Sequence, residues 1–84
     1  MPKFMDYHAT MPQLPPEAAQ AMAARLKAGQ ADQFGVKGLN VFIGIGGQGY
    51  CLTEAPSAEA VVKSHEALGF PMSQSNVVEV VSIV

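Results

Sequence analysis

The chain has 84 residues, of which 49% are hydrophobic and 14% charged, and its net charge at pH 7 is −2. This length indicates one small domain over residues 1–84, which buries about 60% of the surface that its unfolded form exposes. The five basic residues form no stripe that could neutralise several phosphates, so the composition argues against nucleic-acid binding.

Membrane insertion and secretion are also disfavoured. No apolar run approaches the roughly 20 residues needed to span a bilayer, and the N-terminal segment lacks the charged-then-apolar layout of a signal peptide. The single cysteine, Cys51, cannot form an internal disulfide, which fits a reducing compartment. We therefore expect a cytoplasmic protein with no membrane partner.

The first element is a strand at residues 3–8 (KFMDYH), a short run rich in apolar and aromatic side chains. Thr10, Pro12 and the pair Pro15 and Pro16 end it. Proline has no N–H for a strand ladder or a helix interior, but it is tolerated in the first turn of a helix. The prolines therefore predict a break followed by the start of a helix.

An amphipathic helix is predicted from Glu17 onward. Met22 and Leu26 recur on one side at helical spacing among alanines and other good helix formers. A glycine just past the last turn can adopt the left-handed cap, and we expect Gly35 to do so. The helix is thus predicted to reach about Phe34.

The middle of the chain predicts two strands joined by a glycine-rich turn. Residues 39–45 alternate with the period of two that is typical of a strand with one face fully buried. Gly44, Gly46 and Gly49 match the G-x-G-x-x-G spacing of dinucleotide-binding turns, but residues 50–53 (YCLT) again have a strand pattern where that fingerprint requires a helix. We therefore interpret the glycines as a hairpin turn.

The last two elements are a helix and a strand. Ser57 is a predicted N-cap, and the helix after it carries His65 on the same side as the apolar Leu68. Gly69 is predicted to end this helix. Residues 77–84 (VVEVVSIV) are apolar at nearly every position and predict a strand covered on both faces.

The element order predicts an α+β fold, the ferredoxin-like βαββαβ arrangement, with a four-stranded antiparallel sheet and two helices on one face. The open sheet face would then expose apolar side chains such as Phe42 and Val80 to water. We therefore expect this face to pack against a second copy of the chain in a homodimer.

The ionisable or metal-binding candidates outside obvious surface positions are few: Asp6, His8, Cys51, Glu54, His65 and Glu79. Asp6 and His8 share one face of the first strand, which neighbours the third strand in this fold. A thiolate, imidazoles and a carboxylate suit nickel, zinc, copper or iron. The sequence leaves three alternatives open, namely a structural thiol at Cys51, a backbone-bonded His65 and a solvent-exposed His8.

Several segments resemble one known family. These are residues 4–8 (FMDYH), residues 50–57 (YCLTEAPS) with 59–61 (EAV), and His65-Glu66 with Gly69. They are similar to the small nickel-binding ferredoxin-like proteins long catalogued as a domain of unknown function. The resemblance implies a homodimer that holds nickel or another divalent transition metal, with the family's polar positions at Asp6, His8, Cys51 and His65.

The chain departs from that family pattern at four positions, Met22, Arg25, Val41 and Phe70, where members often carry other polar or aromatic residues. The alternative is therefore a protein that keeps the dimer but has lost the metal site. It would be a module that binds a small organic molecule in the cavity between sheet and helices, or a small enzyme using that cavity. No nucleophile turn is recognisable, so we predict no catalytic residue.

Overall fold

The computed structural model describes residues 1–11 and 13–84. Its elements are β1 (Lys3–His8), α1 (Pro16–Ala28), β2 (Lys37–Ile43), β3 (Gly49–Glu54), α2 (Ala58–Ala67) and β4 (Val77–Val80), with a 3₁₀ turn at Gln74–Asn76. The strands form one antiparallel sheet in the order β2-β3-β1-β4. The predicted ferredoxin-like fold is confirmed. Pro12, one of the residues predicted to end the first strand, lies outside the described residues.

The two central strands, β1 and β3, place alternate residues on opposite faces of the sheet. In their register Asp6 lies opposite Cys51, and Tyr7 lies opposite Tyr50. Residues directly across an antiparallel pair point the same way, so Asp6 and Cys51 share the helix-facing side and the two tyrosines share the open face. Asp6 is 0% exposed and Tyr50 is 36% exposed, which shows that only the helix-facing side is covered.

The apolar core is small and lies where α2 packs on the sheet. Its buried members are Phe4, Val36, Ala55, Ala60 and Val61. The predicted N-cap of α2 is confirmed, because the Ser57 hydroxyl accepts a hydrogen bond from the N–H of Ala60 at 3.1 Å. Neither helix in the described residues is long and apolar enough to cross a membrane.

The first helix ends earlier than predicted. Instead of reaching Phe34, α1 ends at Ala28, and Gly29 adopts the left-handed conformation with φ of 66°. The N–H of Gly29 donates to the carbonyl of Leu26 at 3.2 Å. Glycine is a poor helix former and takes positive φ without steric strain, so the first glycine after the last turn closes the helix before Gly35 is reached.

The predicted fully buried face of the second strand is wrong. β2 is an edge strand that ends at Ile43, which is 55% exposed, and Ile45 in the following turn is fully exposed. No residue of this strand is buried. Its pairing with β3 shifts between Gly38 and Asn40, which makes Leu39 the extra residue of a bulge. The bulge interrupts the alternation of side chains between the two faces of the sheet. The period of two therefore predicts the strand correctly but not a buried face.

The last strand is shorter than predicted and is not covered on both faces. β4 is the other edge strand and pairs only with β1, with Val80 opposite Lys3. Because β1 begins at Lys3, the residues after Val80 have no strand to pair with. Val81 is accordingly 85% exposed, and the predicted continuation to Val84 does not form.

The glycine-rich segment forms the predicted hairpin turn between β2 and β3. The N–H of Gly44 donates to the carbonyl of Gln48 at 2.8 Å, and Gly47 has φ of 89°, a conformation that side chains rarely allow. A strand follows these glycines, so their spacing does not mark a dinucleotide-binding turn.

Candidate metal site

The four residues at the polar positions of the family pattern converge on the helix-facing side of β1. Asp6 and His8 lie two residues apart on β1, Cys51 lies opposite Asp6 on β3, and His65 comes from α2. Each offers one ligand atom, and these atoms all lie within 4.8 Å of one another. We call these four residues the His–Cys–Asp cluster.

The position of His65 follows from the packing of α2. Val61, one helical turn earlier, is 0% exposed in the core, and residues four apart share a helix face. The Nδ1 of His65 lies 2.8 Å from the Val61 carbonyl oxygen, to which it donates in the neutral ring. This bond leaves the Nε2 lone pair of His65 free for a metal ion.

The second imidazole of the cluster belongs to His8. Its ring centroid lies 5.1 Å from that of His65, and its side chain is only 12% exposed. The alternative of a solvent-exposed His8 is therefore wrong, because the ring is enclosed between β1 and α2.

Asp6 is a fully buried carboxylate. Its Oδ1 lies 2.7 Å from the Nε2 of His8 and 3.5 Å from the Nε2 of His65. These approaches lack hydrogen-bond geometry, and neither oxygen of Asp6 has a hydrogen-bond partner among the described residues. A buried carboxylate without partners is costly, so this position calls for a positive charge.

The thiol of Cys51 is held in its protonated form. Burial raises the pKa of Cys51 to about 12, and the negative charge of Asp6 adds to the rise. A bound cation has the opposite effect, because it stabilises the thiolate directly. Cys51 is thus an inert thiol that a metal ion would convert into a ligand.

A cavity of about 540 Å³ lies between α1, α2 and the helix-facing side of the sheet. Three members of the His–Cys–Asp cluster line it, namely His8, Cys51 and His65. Met22 and Leu26 of α1 line it as well, and α1 has no buried residue. The space beneath α1 is therefore left open beside the cluster.

Two residues outside the predicted site, Asp32 and Ser64, connect the loop after α1 to α2. The Asp32 carboxylate accepts hydrogen bonds from the N–H groups of Phe34 at 2.8 Å and Val36 at 3.0 Å, and from the hydroxyl of Ser64. Partial burial would raise the pKa of Asp32, but these hydrogen bonds outweigh it and the pKa is lowered. Because Ser64 precedes His65, this link steadies the turn that carries the imidazole.

The sequence holds a signal for only one of these two residues. Asp32 lies shortly before Gly35 in a connecting segment, and an aspartate that accepts from the N–H two residues later is typical of an Asx turn. A serine within a helix, such as Ser64, has no comparable signature, since its contact depends on how the helix packs.

Comparisons with known proteins agree with the sequence resemblance. The family model described as "Nickel responsive protein SCO4226-like" matches residues 4–80. Among solved structures, the crystal structure of SCO4226 from Streptomyces coelicolor A3(2) is similar, with 30% sequence identity and a TM-score of 0.65, over 98% of this chain and 99% of that chain. The comparison with curated proteins gave no match. The matched residues include the whole His–Cys–Asp cluster.

Proposed function

Because the chain belongs to the SCO4226-like family of nickel-responsive proteins, we propose that its His–Cys–Asp cluster binds one divalent transition-metal ion, with nickel as the first candidate. The observation that carries the proposal is the Asp6 carboxylate, which is fully buried and has no hydrogen-bond partner in the described part of the chain. An ion of charge 2+ would be neutralised by this carboxylate and the thiolate of Cys51. The neutral assembly avoids the large penalty of an isolated buried charge.

The donor set also suits such an ion. Two imidazoles, one thiolate and one carboxylate are borderline ligands that favour nickel, zinc or copper over calcium and magnesium. Metal–ligand bonds of about 2.0–2.3 Å place two ligand atoms at most about 4.6 Å apart. The ligand atoms of the cluster lie within 4.8 Å of one another, so small side-chain adjustments suffice to hold an ion.

The test is a calorimetric titration of chelator-treated protein with nickel and, separately, with zinc. We expect saturable binding of one ion per chain, with nickel at least as tight as zinc. His65→Ala and Cys51→Ser should each weaken binding about a hundredfold or more, because each removes one of the cluster's ligand atoms. Glu66→Ala is the matched control, because Glu66 follows His65 in the last turn of α2 but is exposed. This variant should bind nickel as tightly as the unaltered protein does.

Two outcomes would contradict the proposal. The first is the absence of binding heat and of bound metal for both ions after dialysis. The second is an affinity that His65→Ala and Glu66→Ala change equally, since that would place the ion away from the cluster.

We also propose that two copies of the chain associate through the open face of the sheet. This face carries Tyr7, Phe42, Tyr50 and Val78, which are 39%, 49%, 36% and 59% exposed. Phe42, Tyr50 and Tyr7 lie opposite one another on β2, β3 and β1. Val78 of β4 lies opposite Met5, two residues along β1 from Tyr7. An apolar patch that continues across a whole sheet is unusual for a monomer, and a two-fold pairing would cover it on both copies.

Light scattering or sedimentation of the purified protein tests this pairing. We expect a particle of twice the 8.8 kDa chain mass at micromolar concentration. A monomer that persists into the high micromolar range would contradict the proposed dimer and leave the metal proposal untouched.

We propose a cytoplasmic location as well. Cys51 can act as a ligand only while its thiol is reduced, and reducing compartments keep a lone cysteine in that form. Cell fractionation of a tagged chain checks this, and recovery outside the cytoplasm would contradict it.

A further inference from the structure

The cavity under α1 is larger than a metal site requires. Its volume of about 540 Å³ falls in the range of roughly 300–1,000 Å³ that is typical of sites for small organic molecules. A single ion at the His–Cys–Asp cluster would occupy only one wall of this space. The remaining volume is therefore available to a second ligand.

Apolar side chains also line this cavity. Met22 and Leu26 form the inner side of α1, yet neither is fully buried. Leu68 and Phe70, which follow α2, also line the cavity and are 54% and 37% exposed. Covering this surface is favourable, at roughly 25 cal/mol for each Å² of apolar area removed from water.

Two polar groups in the same cavity are without an ion-pair or hydrogen-bond partner in the described part of the chain. Arg25 of α1 lines the cavity and forms no ion pair among the described residues, although its charge reaches Asp32. Thr53 lines the cavity from the helix-facing side of the sheet, and its buried hydroxyl has no hydrogen-bond partner within residues 1–11 and 13–84. Buried hydroxyl groups are nearly always hydrogen-bonded, so a polar ligand atom that reached this hydroxyl from the cavity would be favourable.

We propose that this cavity binds a small organic anion with an apolar body, whose carboxylate or sulfonate group pairs with Arg25 while the body covers Met22 and Leu26. The guanidinium group forms strong, directional hydrogen bonds with such anions. A second polar atom on the ligand would satisfy Thr53. The cavity also touches His8, Cys51 and His65, but the proposed contacts use none of these three side chains, so the proposal does not depend on metal binding.

The experiment uses chelator-treated, metal-free protein and the fluorescent probe 1-anilinonaphthalene-8-sulfonate, an aromatic sulfonate. We expect saturable fluorescence enhancement with one site per chain, and displacement of the probe by octanoate. Octanol, which has the same chain without the charge, should displace the probe at least about tenfold more weakly. The difference reports the charged hydrogen bonds that only the carboxylate makes.

A pair of variants on one helix locates the site. Arg25→Gln should weaken octanoate and probe binding by about tenfold or more. Lys27→Gln removes the same charge two residues away, outside the lining of this cavity, and should leave both affinities within twofold. Circular dichroism of both variants shows that each remains folded.

Three results would overturn the proposal. These are the absence of saturable probe binding, equal displacement by octanoate and octanol, and equal effects of Arg25→Gln and Lys27→Gln. If the probe bound at the open face of the sheet instead, Arg25→Gln and Lys27→Gln would have equal effects, which is the third of these results. Because no metal is present, none of these results depends on whether the cluster binds nickel.

Discussion

The two faces of β1 and β3 carry opposite kinds of side chain. On the helix-facing side, Asp6 is 0% exposed and Cys51 is 9% exposed, whereas Tyr7 and Tyr50 on the open face are 39% and 36% exposed. A sheet covered on one side ordinarily hides its apolar residues and exposes its polar ones. The inversion at these four positions is what the proposed metal site on the covered side and the proposed pairing of two chains on the open side would produce.

The strongest test of this contrast removes the buried charge. Asp6→Asn should weaken nickel binding more than a hundredfold, because about 10–16 kcal/mol shared among four ligands is roughly 3 kcal/mol for each. The same change should raise the free energy of unfolding of the metal-free protein by about 1–2 kcal/mol, since an amide is cheaper to bury than a carboxylate that lacks a hydrogen-bond partner. Calorimetry and urea denaturation measure the two effects.

Glu79→Gln is the control for this prediction. Glu79 lies opposite Phe4 on β4, on the same side of the sheet as Asp6, but it is exposed. The control should change neither quantity. Unchanged nickel affinity in Asp6→Asn would show that the carboxylate is not a ligand.

Breaking the open face should have the next largest effect. Tyr50 lies at the centre of this face, with its ring centroid 5.3 Å from that of Tyr7. Tyr50→Lys would bury two unpaired charges in a symmetric dimer and should raise its dissociation constant about a hundredfold. Sedimentation velocity measures this, while nickel binding per chain should persist. Ile45→Lys, in the fully exposed hairpin turn, is the control and should leave the dimer intact.

The pH dependence of metal binding sharpens the chemistry of the covered side. The Cys51 pKa of about 12 means that the thiol is protonated near neutral pH and must release its proton to bind as a thiolate. Release of this one proton should therefore make the nickel association constant rise about tenfold for each pH unit, at pH values below that pKa. Calorimetry in buffers of different ionisation enthalpy counts the released protons.

The control for this proton count is a variant that lacks the thiol but still binds nickel weakly. Cys51→Ser, measured at high nickel concentration, should release one proton fewer per ion than the unaltered protein. An equal count in both proteins would show that the thiol is not a ligand.

The smallest expected effect concerns the helix that carries His65. Ser57→Ala removes the hydroxyl that caps α2 and should lower the free energy of unfolding by about 1 kcal/mol. Thermal denaturation measures the loss, and nickel stoichiometry should stay unchanged. Ser82→Ala, in the exposed segment after β4, should have no effect on stability. Loss of nickel binding in Ser57→Ala would mean that the cluster depends on more of α2 than its last turn.

Local patterns predicted the element types well and their ends less well. Residues 3–8 and the cap at Ser57 were predictable because strand composition and capping act over a few neighbouring residues. The helix end at Ala28 was not predictable, because Gly29 and Gly35 can each adopt the left-handed conformation that ends a helix. The exposure of β2 and β4 also escaped prediction, since an edge position is a property of the whole sheet.

The sequence by itself determined the order of the elements, the hairpin turn and the short set of candidate metal ligands. It also determined that Asp6 and His8 share a face, because side chains in a strand alternate with a period of two. Only the tertiary structure decided that Cys51 lies opposite Asp6, that His65 reaches both, and that a cavity remains under α1. Strand register and helix packing depend on contacts between distant parts of the chain, and no local pattern encodes them.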